Sequence, residues 1–152
     1  AYQRPLGPIA DDEALRQQYI TVYDVKTHQQ VVRFCCAYGH RLHKLIGYDF
    51  PYNSDIADGY AGMEQWLAGE ANYHAARNAS LRNGRQARYT TDRTVERFLR
   101  TMAQLMASPH VKYHGLWASD FAITLIITMY PNDDAAVRNE RIAQILLLKS
   151  IN

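Results

Sequence analysis

The segment from Thr91 to Met106 constrains the fold most, because its apolar residues recur with the period of an α-helix. On a helical wheel, with about 100° between successive residues, the apolar residues of this segment fall in one arc. This arc contains Val95, Phe98, Leu99, Met102, Leu105 and Met106. Arg93, Arg97 and Arg100 fall on the opposite side, together with Gln104. The pattern predicts a helix that packs its apolar face on a core and turns a row of guanidinium groups outward.

The positive charge of the chain is concentrated around this helix. The stretch from Arg77 to Arg100 holds seven of the 13 arginines but only two acidic residues, Asp92 and Glu96. It therefore carries a charge of +5, whereas the rest of the chain carries −3 and the total is +2. Arginine is suited to the recognition of phosphate and carboxylate groups, so this stretch is the strongest functional signal in the sequence.

Length and composition are typical of one soluble globular domain. The chain has 152 residues, of which 47% are hydrophobic and 21% charged. The longest apolar runs, Phe121 to Tyr130 and Ile142 to Leu148, are shorter than the ~20 residues that span a bilayer. We expect no membrane span, and a cytoplasmic or particle-associated protein. Cys35 and Cys36 are adjacent, a spacing that disfavours a disulfide, so we expect reduced thiols with at least one buried.

The fold class predicted from these patterns is all-α, a compact bundle of five or six helices. Residues 1–10 contain Pro5, Gly7 and Pro8, which predict an extended N-terminal arm. Residues 11–152 are expected to form a single helical domain.

In the first half of the domain we predict three helices. Asp11 or Asp12 caps a short helix through Tyr19, and Ile20 to Val25 is interpreted as a link. A second helix covers residues 27–46 and stops at Gly47. A third begins at Ser54 or Asp55 and extends toward His74. Its three glycines either allow close approach of another helix or split it into two; they are Gly59, Gly62 and Gly69.

In the second half, residues 79–90 are interpreted as a loop that carries Arg82, Arg85 and Arg88, followed by the arginine-bearing helix. Phe121 to Tyr130 is apolar on all sides, and its β-branched residues favour a strand, whereas the flanking capping residues favour a helix. We predict a helix from Ser119 or Asp120 to Pro131. A last helix, capped by Asn132 or Asp133, runs to about Ser150.

One constellation has the spacing of a metal site, but it is weak. Cys36, His40 and His43 share a helix face, and a thiolate with two imidazoles suits zinc. No paired ligand motif occurs on a second element, and packed tyrosine and leucine neighbours explain the same face. We therefore predict no metal and no cofactor.

Enzymatic activity has little support. His110 and His114 lie in a region predicted to be a loop and have the chemistry of a general acid and base, but no partner residue is marked for them. The serine-hydrolase and phosphate-loop signatures are absent from the sequence. We predict a protein without catalytic residues.

The leading hypothesis is a self-assembling helical protein that binds nucleic acid through phosphate contacts, in the manner of a nucleocapsid or coat subunit. The predicted contact residues are Arg82, Arg85, Arg88, Tyr89, Arg93, Arg97 and Arg100. In this hypothesis Tyr89 or Tyr73 stacks on exposed bases, which favours single strands or RNA. Such a subunit is expected to form a homo-oligomer.

Two alternatives stay open. One is a protein–protein or regulatory module that uses tyrosine and arginine as interface anchors. The other is a metal-binding helical protein. The segment from Asp133 to Val137, leading into an Ile/Leu-rich helix, resembles a helix of rod-shaped plant virus coat proteins over fewer than 20 residues. Those coats have their arginine cluster at a different spacing, so the resemblance assigns no family.

Overall fold

The structure, a computed structural model, describes residues 4, 11–47 and 54–152. The described residues form seven α-helices and no strand, which confirms the all-α class; the predicted five or six helices were too few. The helices are α1 (Glu13–Asp24), α2 (His28–Ile46), α3 (Ser54–Leu67), α4 (His74–Tyr89), α5 (Arg93–Met106), α6 (His114–Met129) and α7 (Asp134–Ser150).

Side-chain caps begin four of these helices where the sequence carries Asp or Thr. Asp12 accepts a hydrogen bond from the Leu15 backbone N–H at the start of α1. Thr27 and Gln30 form a reciprocal capping box at the start of α2. The side chains of Asp92 and Asp133 accept hydrogen bonds from backbone N–H groups in the first turns of α5 and α7, respectively. The predicted bounds of these last three helices agree with the structure within about two residues.

Gly47 ends α2 as predicted, with a left-handed φ of 62°. Only glycine adopts this conformation without steric cost, and it allows the chain to leave the helix axis. Residues 1–3 and 5–10, most of the predicted arm, lie outside the described residues.

The interpretation of Ile20 to Val25 as a link is wrong, because α1 continues through Asp24. Tyr19 and Tyr23 are one helical turn apart, and both rings are fully buried, with their centroids 5.8 Å apart. Burial of two aromatic rings on one face stabilises the helix and outweighs the weaker helix propensity of β-branched residues.

The interpretation of residues 79–90 as a loop is also wrong, because residues 79–89 belong to α4 and only Thr90, its C-cap, has extended backbone geometry. The predicted third helix instead ends at Leu67, before Gly69 with its positive φ of 73°. Helix α4 buries mainly small residues, which permits close packing. A Cβ atom placed on Gly62 of α3 would lie 2.6 Å from the backbone nitrogen of Ala76. Gly62 of α3 therefore allows a second helix to approach, and Gly69 lies just beyond the C-terminal end of α3.

Phe121 to Tyr130 is helical through Met129, and α6 begins at His114, earlier than predicted. Helix α5 packs between α4 and α6, α3 packs on α4, and α1 packs on α7. Helix α2 contacts α3, α5, α6 and α7, and it buries seven residues. Within the described part of the chain, no helix is both long enough and apolar enough to cross a membrane.

A buried polar network joins α7 to α6 and to the residues before α1. Its centre is Arg141, whose side chain is fully buried. Nε and Nη2 donate to Asp11 at 3.1 and 2.5 Å. Nη1 donates to Ser119 at 3.1 Å and to Gln144 at 3.0 Å. With Asp120 also bound to Nη2, the N–H groups of this guanidinium are satisfied without water.

A second part of the network joins α2 to α7. The Tyr38 hydroxyl donates to Glu140 at 2.8 Å and accepts from Gln144 at 2.8 Å. Arg41 of α2 forms a bidentate pair with the same Glu140, at 2.8 and 3.2 Å. Satisfied buried polar networks of this kind specify one arrangement of the helices.

Candidate functional site

A groove lies between α4 and α5 and has a volume of about 470 Å³. We call it the arginine groove, because four arginines line it: Arg77, Arg85, Arg88 and Arg100. The first three are at helical spacing on one face of α4, and Arg100 projects from α5. From Arg77 to Arg88 the α4 face extends about 16 Å along its axis.

Small residues form the base of this groove. Ser80 donates from its hydroxyl to the Ala103 carbonyl oxygen at 2.6 Å, which ties α4 to α5. Gly84 has no neighbouring heavy atom within 4 Å of the position that a Cβ would occupy. The open space at Gly84 and the short side chains of Ser80 and Ala103 give the groove its depth.

The groove also offers apolar surface. Leu81 of α4 lines it and is 51% exposed, and Phe121 of α6 lines it from the other side. Exposed leucine side chains are common singly, but this one lies among guanidinium groups. The lining therefore combines directional cationic donors with apolar contact area.

The charge of the groove is largely unneutralised. Among the described residues, no carboxylate lies within 4.0 Å of Arg77, Arg85 or Arg88. Arg100 pairs with Glu96 one turn earlier on α5, with Nε 3.2 Å from Oε1. Such a half-exposed ion pair within one helix contributes little to stability, and Arg100 readily exchanges Glu96 for another partner. The groove therefore carries positive charge that the described part of the chain largely leaves unpaired.

His114 contacts a lining residue of the groove and carries no charge at neutral pH. Its Nδ1 lies 2.7 Å from Oε1 of Gln104, which lines the groove. Burial lowers the pKa of His114 to about 4, with a further contribution from the positive charge of Arg77. A neutral imidazole donates its Nδ1 proton to Gln104, so it holds that side chain in place.

Some of the predicted contact residues line the arginine groove, and the others do not. Arg85, Arg88 and Arg100 line the groove, and Tyr89, at the end of α4, is 85% exposed. Arg82 instead pairs with α3, through Asp55 at 2.6 Å and Asp58 at 3.1 Å.

The remaining two members of the predicted row do not line the groove. Arg93 is exposed at the start of α5, and Arg97 is half-buried. Nε of Arg97 is buried and has no hydrogen-bond partner. The expected continuous row on α5 therefore contributes only Arg100 to the groove.

The predicted contact residues did not include Arg77, Leu81 or Phe121, although Arg77 begins the arginine-rich stretch that the sequence analysis singled out. The spacing of Arg77, Leu81, Arg85 and Arg88 is that of one helix face, and it was the available signal. The interpretation of residues 79–90 as a loop concealed it. Phe121 is brought to the groove only by the packing of α6 on α5.

The weak metal candidate is not supported. No group of three or more His, Cys, Asp or Glu side chains in residues 4, 11–47 and 54–152 is arranged to hold a metal ion. The His40 ring stacks on Tyr60 with centroids 4.3 Å apart, and Cys36 contacts the sulfur of Met63. Burial raises the pKa of the Cys36 thiol to about 12, so it is protonated at neutral pH.

The described residues form seven helices, and the arginine groove between α4 and α5 carries positive charge that the described carboxylates largely leave unpaired. Residues 21–151 match the model of a protein family described as "Imm-5 like putative immunity protein". This match covers most of the chain, and the chain belongs to that family. It includes every residue of the arginine groove. The search of curated proteins and the search of solved structures found no match. The predicted likeness to viral coat proteins therefore gains no support from these comparisons.

Proposed function

We propose that this chain is an immunity protein that acts by binding a toxic partner protein, and that the arginine groove contacts an acidic segment of that partner. Family membership supports the first part, since immunity proteins of known systems bind toxins with very high affinity. This proposal develops the alternative in which tyrosine and arginine anchor a protein interface.

The observation that carries the proposal is the unneutralised charge of Arg77, Arg85 and Arg88 in a groove of about 470 Å³. Arginine is among the residues that dominate binding energy at protein interfaces. A guanidinium binds a carboxylate through two parallel hydrogen bonds, which adds geometric specificity to charge attraction. Asp or Glu side chains of a partner are therefore the groups that this groove is best suited to bind.

The apolar lining adds a second reason to expect a protein partner. Leu81 and Phe121 offer contact area that a charged backbone of phosphates does not use. Interfaces commonly place such apolar contacts at the centre and charged groups around them. An acidic segment with one apolar residue between its carboxylates would satisfy both parts of the lining.

The test compares two variants of the full chain. Arg85→Glu with Arg88→Glu reverses the charge of the groove, and Arg93→Glu reverses an exposed arginine of α5 that does not line it. The partner is captured with immobilised wild-type chain, identified by mass spectrometry, produced separately and titrated by calorimetry. The groove variant is expected to lose about 100-fold or more in affinity, and Arg93→Glu to stay within a few-fold of wild type.

Protection of cells is the second readout. Cells that produce the captured partner should grow when they also produce wild-type chain or Arg93→Glu, and fail to grow with the groove variant. If the two variants bound the partner with equal affinity, the groove would not be part of the interface. A partner that never impairs growth would contradict the immunity function itself.

Binding of single-stranded nucleic acid is a second candidate, favoured by the 85% exposed ring of Tyr89 one residue beyond Arg88. An aromatic ring beside arginines is a platform on which bases stack. A labelled single-stranded oligonucleotide should then bind with an affinity that falls steeply with salt, and Tyr89→Ala should weaken it.

Self-assembly also stays a prediction, which sedimentation velocity checks directly. The absence of catalytic activity stays a prediction as well.

A further inference from the structure

A second groove, unrelated to the arginine groove, lies between α2 and α7. Its volume is about 770 Å³. Each helix contributes a small residue to the lining, Ala37 from α2 and Ala143 from α7. Leu45, Leu146 and Leu147 supply most of the apolar surface. The lining residues of α7 follow the i, i+3, i+4 spacing of one helix face, so the groove runs along the helix.

Helix α7 exposes large apolar side chains next to this groove. Leu146 is 61% exposed, and Ile142, one turn earlier, is 42% exposed. The two side chains form a stripe beside the groove rather than isolated contacts with water. Contiguous exposed apolar surface with a polar rim is typical of a protein interaction site.

The rim of this groove is cationic. Arg41 and Lys44 line it from α2. Arg41 is paired with Glu140 but is 41% exposed, and Lys44 has no ion pair among the described residues. No carboxylate lines the groove within the described part of the chain. Glu140 itself is 3% exposed and bonded to Tyr38, so it does not reach a ligand.

We propose that this groove docks an amphipathic helix of a partner protein, and that the docked helix has carboxylates beside its apolar face. Two helices that pack side by side with an apolar cleft between them accept a third helix through anchors at i, i+3, i+4 and i+7. Lys44 and the exposed part of Arg41 then face an acidic flank of the docked helix. The surface is separate from the arginine groove, and it is a second contact that the proposed immunity function does not require.

Charge distinguishes this occupant from a second copy of the chain. In a two-fold dimer the same patch meets itself, which would bring the lysine-bearing rims of two copies together. Like charges across an interface are unfavourable, and no carboxylate of the groove lining compensates them. An acidic helix removes this repulsion, whereas a second copy creates it.

The test uses a designed peptide and the full chain. The probe is a fluorescein-labelled helix of about 18 residues, roughly 27 Å long, with Leu at i, i+3, i+4 and i+7 and Glu at most other positions. One control peptide has the same composition with the leucines scrambled, and another has Lys in place of Glu. Fluorescence anisotropy should report binding of the probe and at least about ten-fold weaker binding of both controls.

Variants locate the binding site. Leu146→Glu is expected to weaken probe binding about ten-fold or more, because it places a carboxylate in the apolar cleft. Val25→Glu is the matched control, since Val25 is 79% exposed at the end of α1 and lines neither groove. Arg85→Glu with Arg88→Glu should leave probe binding unchanged, which separates this surface from the proposed function of the arginine groove.

Three outcomes would overturn the proposal. Equal binding of the scrambled peptide would mean that charge alone attracts the probe. Loss of binding in the arginine-groove variant, but not in Leu146→Glu, would place the probe in the other groove. A wild-type dimer in sedimentation velocity that Leu146→Glu dissociates would assign the groove to a second copy.

Discussion

Nη2 of Arg141 lies 2.7 Å from Oδ1 of Asp120, and neither side chain is exposed to solvent. Burial by itself lowers the pKa of Arg141, but hydrogen bonds and charges from Asp11 and Asp120 outweigh it and raise the pKa. Burial by itself raises the pKa of Asp120, but bonds from Arg16 and Arg141 lower it. Both groups therefore stay ionised inside the protein, and each depends on the other.

Replacement of Arg141 by Met should lower the free energy of unfolding by about 3–5 kcal/mol, because it leaves buried carboxylates with fewer partners. The matched control is Arg138→Met, on the same helix but exposed, with an expected change within about 0.5 kcal/mol. Urea denaturation followed by circular dichroism measures both. Similar small changes in the two variants would mean that the buried network does not hold α7 in place.

Two helical glycines should respond in opposite directions to replacement by alanine. At Gly84 a methyl group meets no atom within 4 Å, so Gly84→Ala should stabilise the protein by about 0.5–1 kcal/mol through helix propensity. At Gly62 the same methyl group lies 2.6 Å from backbone of α4, so Gly62→Ala should destabilise it by about 1–3 kcal/mol. Thermal unfolding of the pair checks this. A stabilising Gly62→Ala would contradict the close approach of α3 and α4.

His114 should make the protein less stable in mild acid. Burial lowers its pKa in the folded state to about 4, from 6.5 for an ordinary histidine. Between these values the unfolded chain binds a proton that the folded chain does not, so stability falls as the pH is lowered through this window. The urea midpoint of wild type should drop between about pH 7.5 and about pH 5.

The variant His114→Gln should show a smaller drop over the same pH range, because it retains a hydrogen-bond donor toward Gln104 but has no proton to gain. His74→Gln, at an exposed histidine, is the control. If His114→Gln followed the wild-type pH dependence, another group would be responsible for the loss of stability.

Charge reversal in the arginine groove should change binding without lowering stability. Arg85 and Arg88 are exposed, and no carboxylate of the described residues pairs with them. We expect Arg85→Glu with Arg88→Glu to change the free energy of unfolding by no more than about 0.5 kcal/mol. Chemical denaturation tests it, with Arg82→Glu as the contrast, since Arg82 is bound to Asp55 and Asp58. A destabilised groove variant would indicate that these arginines have a structural role.

The sequence by itself determined the helices whose signals are local. Thr27, Asp92 and Asp133 are capping residues whose hydrogen bonds involve only neighbouring residues, so the starts of α2, α5 and α7 were predictable. The apolar arc of α5 was predictable for the same reason, since one helix face is a property of spacing alone. The concentration of arginine between residues 77 and 100 was likewise visible without a structure.

Only the tertiary structure shows that His74–Tyr89 forms a helix, α4, and that this helix lines the arginine groove. Helix α4 buries Ala76, Ala79 and Ala87, which give a weak apolar signal, and it is stabilised by close approach to α3 and α5. Ion pairs from Asp55 and Asp58 remove Arg82 from the candidate surface, although its position in the sequence resembles that of Arg85. Arg141 is equally indistinguishable in sequence from a surface residue, and only its partners on other segments explain its burial. Local hydrogen bonds and periodicity depend only on residues that are close in sequence. The pairing and burial of a charge depend on residues that are distant in sequence and that the fold brings together.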